Sequence, residues 1–74
     1  MGERTYTLRQ VQILMQVTRG DEVVGDGTVH FEASGTCGIS HPVGVPPEEL
    51  LAAAVRILRE VTATLEARLP ATVS

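Results

Sequence analysis

The sequence predicts an α+β fold: a long antiparallel β-hairpin followed by one C-terminal helix packed on it (ββα), in a single small domain over residues 1–74. Three observations carry this reading. Residues Gln10 to Thr18 alternate between polar and apolar with period two. Residues 35–46 are rich in Gly, Ser and Pro, as a connector should be. From Pro47 onward the apolar residues recur with the 3.6 period of a helix.

Val11, Ile13, Met15 and Val17 share one face of the first strand. Gln10, Gln12, Gln16 and Thr18 share the other, with Leu14 the one apolar residue among them. The strand is expected from about Thr5 to Thr18, within a hairpin spanning 5–34. Tyr6 and Leu8 lie on the opposite parity, which requires a bulge near Arg9 or a neighbour that covers them. Arg19-Gly20-Asp21-Glu22 reads as a tight turn, since Gly supplies the positive φ that hairpin turns demand.

The return strand begins at Val23-Val24, is interrupted by Gly25-Asp26-Gly27, and resumes through Thr28 to Ala33. Register accounts for the interruption. Counted from Gly20-Asp21 without a break, Ile13 would face Thr28 and Val11 would face His30, leaving Val29 and Phe31 on the wrong side. One extra residue in the Gly-Asp-Gly segment, a β-bulge, restores the pairs Ile13–Val29 and Val11–Phe31. The competing reading places the hairpin tip at Gly25-Asp26-Gly27. Within the connector, Gly38-Ile39-Ser40 offers a short third strand, though the surrounding glycines and Pro42 weaken it.

The helix is expected over 47–69, with 70–74 a frayed tail. Proline suits its first turn, where N–H groups have no internal acceptor, and Glu48 and Glu49 suit the positive end of its dipole. Pro70 stops it. Leu51, Ala54, Leu58, Val61, Leu65 and Leu69 form the stripe expected to be buried, which Leu50, Val55 and Ile57 widen to an arc of about 160° at ~100° per residue. About 23 helical residues span ~34 Å and an 11-residue strand ~36 Å. One helix is thus expected to lie lengthwise on the hairpin.

A 74-residue chain buries only about 60% of the surface its unfolded form exposes, and such a core supplies roughly 3–5 kcal/mol without a staple. Cys37 is the only cysteine, so no disulfide can form within the chain, and His30 and His41 are the only histidines. Self-association remains as the support, and a homo-oligomer, with a dimer favoured, is expected. Its interface residues are predicted to be Leu14, Leu50, Ile57 and Val61, through helix packing combined with edge-to-edge pairing of strands that carry no Lys to discourage it.

The chain has no Lys, Asn or Trp, a composition typical of a G+C-rich source. Its net charge is −3, and residues 21–50 carry six acidic side chains with no Lys or Arg. This balance argues against a phosphate-backbone footprint, which needs clustered bases. The opening Met1-Gly-Glu-Arg leads into no apolar signal segment, and no apolar run approaches the ~20 residues of a membrane span. A cytoplasmic protein without membrane contact is expected.

Candidate chemistry is sparse. Cys37 and His41 form a C-x3-H pair, but a metal would need two further ligands and a nucleophile would need its base within reach. They read as a loop cysteine and a surface histidine, and no metal or cofactor is expected. Neither glycine loop follows a phosphate-binding pattern, and Glu48 and Glu49 would repel an anion at the helix start. As neighbours on a helix these two carboxylates diverge, so they make no acid/base pair. Gln10, Gln12, Gln16 and His30 form a candidate contact face on the outside of the hairpin. No residue signature names a family. The expected function is a small non-enzymatic interaction or accessory module, acting through self-association and binding of a macromolecular partner, most simply a protein. The alternative is an antitoxin- or ribbon-type regulator that reads nucleic acid with the outer face.

Overall fold

The computed structural model describes residues 2–71. Gln10–Arg19 forms β1 and Glu22–Glu32 forms β2, joined by the two-residue turn Gly20-Asp21. Gly20 takes φ +61° while Asp21 keeps a negative φ, which is the pattern of a II′ hairpin turn with Gly first. From there the ladder runs with Ile13 opposite Val29 and Val11 opposite Phe31, the register that the apolar pattern requires. The phase shift lies between Val17 and Thr18: Val17 faces Gly25 and Thr18 faces Val23, so Val24 is the extra residue. The bulge therefore sits one residue before Gly25-Asp26-Gly27, and all three of those residues are paired in the ladder. The competing hairpin tip is thereby overturned.

β1 starts at Gln10, five residues later than the sequence suggested, and Gly2–Arg9 forms no regular element. The parity break at Tyr6 and Leu8 is resolved by the chain leaving the sheet, with both side chains exposed. One further bond, Ala33 N–H to the Arg9 carbonyl at 3.1 Å, extends the ladder to that point.

The third strand does form. Cys37–Ser40 is β3, antiparallel to β2, with Ile39 opposite Val29 and Cys37 opposite Phe31. Gly35, at φ +99°, makes the turn into it, where Gly35 N–H bonds the Glu32 carbonyl at 2.8 Å. The sheet order β1-β2-β3 follows the chain order.

The helix α1 spans Pro47–Arg68. Pro46 is its N-cap and makes no side-chain cap bond, Pro47 occupies the first turn, and Glu48 and Glu49 face the positive end of the dipole while Arg68 lies at the negative end. It ends because Leu69 precedes Pro70: the proline ring pushes the preceding residue out of the α region, and Leu69 sits at φ −71°, ψ 138°. Of the tail expected at 70–74, residues 72–74 lie outside the described residues.

The intrachain core is very small. Among the described residues only Val29, Leu50 and Ala54 are buried hydrophobics, with Ile13, Met15, Val17, Ile39 and Val45 packed around them. Gly27 is what lets the helix dock. A Cβ there would stand 2.8 and 2.9 Å from the two Leu50 Cδ atoms, so the bare backbone forms a dimple that Leu50 fills. The helix lies on the sheet with Met15 and Val17 beside one flank and Val11, Phe31 and Cys37 beside the other. Every residue from Leu58 to Arg68 is exposed. The lengthwise match expected from element lengths fails for this reason: docking at Gly27 uses the first three turns and leaves the rest beyond the sheet. The expected buried stripe is likewise corrected. Leu51, Leu58, Val61, Leu65 and Leu69 are all exposed, and the sheet takes only the margin of the arc at Leu50, Ala54 and Ile57.

Candidate interaction surface

The cysteine and histidine are not brought together. Cys37 opens β3 and His41 follows its last residue, so four residues of extended chain hold them about 13 Å apart. His41 Nδ1 donates to the Pro42 carbonyl at 3.3 Å, and Cys37 is an exposed free thiol. Among the described residues no three His, Cys, Asp or Glu side chains gather at metal-binding distance. No buried side-chain polar atom among them lacks a hydrogen-bond partner.

The outer face of the hairpin alternates as its pattern demands. Gln10, Gln12, Leu14 and Gln16 stand opposite Glu32, His30, Thr28 and Asp26. Two acidic residues therefore lie among the glutamines. His30 Nε2 and Glu32 Oε1 are 3.8 Å apart on this face, both partly exposed, a contact of little energetic weight. Leu14 stands out at 75% exposure in otherwise polar surroundings. β1 is also an outermost strand, ten residues long without Pro or Lys, with one row of backbone groups unpaired.

The helix side carries far more apolar surface. Leu51, Val55 and Leu58 on α1 face Val11, Phe31 and Cys37 across a wholly apolar groove of about 190 Å³. The opposite flank holds a second groove of about 290 Å³ with a mixed lining that includes Glu49, Arg56 and Gln16. Beyond the first groove the exposed stripe continues to Val61, Leu65 and Leu69, the last two 58% and 54% exposed. Of the predicted interface residues, Leu14 and Val61 are exposed, Ile57 is half-buried, and Leu50 is enclosed in the intrachain core. The sequence arc did not separate the part used by the sheet from the part left open. The exposed half is Leu51, Val55, Leu58, Val61, Leu65 and Leu69, all within the arc whose period alone marks it for burial.

Two magnitudes describe the exposure. The chain presents 6374 Å² of accessible surface, whereas a compact monomer of 7.9 kDa presents about 4,400 Å². The radius of gyration is 16.0 Å against about 11 Å for a compact domain of this length. Part of the excess belongs to Gly2–Arg9, and the rest to the helix beyond the sheet. No helix among the described residues is long and apolar enough to cross a membrane. Comparison with protein-family models, with curated proteins and with solved structures finds no match for this chain.

Proposed function

We propose that this chain is a small non-enzymatic interaction module that self-associates and binds a macromolecular partner, most simply a protein. The observation that carries the reading is the ratio of exposed to enclosed apolar surface on α1. Two of its residues are buried, while five large hydrophobics from Leu51 to Leu65, and Leu69 at its C-cap, are exposed. Contiguous apolar patches of this kind mark interaction sites in soluble proteins. The non-enzymatic part rests on the separation of Cys37 from His41 and on grooves whose linings hold neither a histidine nor a pair of carboxylates.

The alternative, a ribbon that reads nucleic acid with Gln10, Gln12 and Gln16, meets Asp26 and Glu32 on the same face. Those charges repel a phosphate backbone. Binding to random duplex DNA at graded salt separates the two readings, because a nucleic-acid reader loses affinity steeply as salt rises. The protein-binding reading is tested by capture from the native host with wild type and with Leu58→Glu. A partner retained by wild type and lost by the variant supports it. Salt-steep binding to DNA, or equal capture by both proteins, overturns it.

A further inference from the structure

The exposed part of α1 has a repeat of its own. Leu51, Val55, Leu58, Thr62, Leu65 and Leu69 are spaced four, three, four, three and four residues apart. Alternating fours and threes make the seven-residue repeat of a coiled-coil seam. At ~100° per residue the seam is centred about 90° around the helix from the line Leu50, Ala54 and Ile57 that meets the sheet. The helix thus carries two adjacent contact lines, one used within the chain and one open.

We infer that the open seam is occupied by α1 of a second copy of this chain, running antiparallel about a two-fold axis near Thr62 and Leu65. The inference rests on the self-association proposed above and names its surface. Charge selects the alignment. With Thr62 opposite the partner's Leu65, and Leu58 opposite the partner's Leu69, Arg59 flanks the seam opposite the partner's Glu66. The two-fold axis repeats each of these contacts. Sliding the helices by one heptad, with Leu51 opposite the partner's Leu69, brings Arg59 against the partner's Arg59, a like-charge contact. A parallel pair sets Arg59 beside the partner's Ala54 and Glu66 beside the partner's Val61, so neither charge finds its opposite. Antiparallel helices also set opposite dipole ends together.

Geometry and area agree with this occupant. Most of the paired segment lies beyond the sheet, so a second helix meets β1–β3 only at its end. The end of the partner helix arrives at Leu58, the mouth of the apolar groove, where the partner's Leu69 would enter. The surface in excess of a compact monomer is roughly 2,000 Å²; shared between Gly2–Arg9 and the outer helix, it still leaves room for the ~800 Å² each partner contributes to a standard interface. Both copies supply the same patch, as a two-fold interface requires.

Sedimentation equilibrium of the full chain from low to high micromolar concentration tests this. Wild type is expected at twice 7.9 kDa. Leu65→Glu, at a site outside the intrachain core, is expected to give a monomer with native circular dichroism. Arg59→Glu should weaken the dimer about ten-fold, and Arg59→Glu combined with Glu66→Arg should restore it. The charge pair keeps the test decisive if Leu65→Glu does not fold. A folded wild-type monomer at the highest concentration overturns the inference. So does a double variant no tighter than Arg59→Glu. A dimer that survives Leu65→Glu overturns helix pairing alone, and leaves self-association to the β1 edge.

Discussion

Gly27→Ala should destabilise this protein although alanine is the better residue almost anywhere else in a strand. The new Cβ would lie 2.8 and 2.9 Å from the Leu50 methyl carbons, and comfortable carbon contacts begin near ~3.5–4.0 Å. Leu50 would have to retreat by about 0.7 Å or more, yet it is 3% exposed and sits beside Val29 and Ala54. Overpacking of this kind costs about 1–3 kcal/mol. The reduced entropy of the unfolded chain offsets about 0.4–1 kcal/mol of that. Taken at the middle of both ranges the net loss is about 1.3 kcal/mol, a large share of the ~3–5 kcal/mol a single core this small supplies. Leu50→Val removes the two colliding methyl positions and should itself cost about 1 kcal/mol. In the double variant the methyl introduced at position 27 occupies the vacated space, so the combined loss should fall short of the sum by about 1 kcal/mol. Urea unfolding followed by far-UV circular dichroism, at one fixed protein concentration, measures all four proteins. Gly27→Ala as stable as wild type, or additive losses in the double variant, would refute the dimple as the reason the helix docks where it does.

Further outcomes follow from single contacts. Gly20→Ala has open space around the new methyl but places alanine at φ +61°, so it should cost about 1–2 kcal/mol of backbone strain and lower the urea midpoint. Glu48→Gln with Glu49→Gln removes the charges at the helix start and should cost about 0.3–1 kcal/mol per site at low ionic strength, with the difference shrinking in salt. Val29→Ala opens the centre of the core and should cost about 2 kcal/mol with an unchanged m-value. Leu14→Gln, at an exposed site, should move stability by less than ~0.5 kcal/mol, read from the same titrations.

The hairpin was legible because its signals are local. Alternation along β1, a Gly-Asp turn and the need to keep Val29 and Phe31 inside leave one register, and that register is observed. The bulge position was off by one residue because the phase argument counts residues without locating the extra one. β3 was only a weak expectation since four residues, one of them Gly38, are too few to display a period. The helix limits were readable from Pro47 and Pro70. Which part of its apolar arc would meet the sheet was not, since that depends on Leu50 finding Gly27, a contact between residues twenty-three apart in the chain with no signature in either neighbourhood. Once that contact is made, the same helical pattern divides into an enclosed line and an exposed one.

The sheet order β1-β2-β3, identical to the order along the chain, has a kinetic consequence. Each strand pairs with its sequence neighbour across a short turn, Gly20-Asp21 for the first pair and Ala33–Thr36 for the second. Closing such loops costs little entropy, and meanders rich in local contacts fold fast. Ordering of the sheet is thus a first-order event that one chain can complete alone, while the helix pairing proposed above would need an encounter between chains. If that pairing occurs, refolding should separate into a rapid phase indifferent to protein concentration and a slower one that accelerates with it. Between the two phases the apolar helix would stand open, and the concentration of the protein itself would set how long that interval lasts.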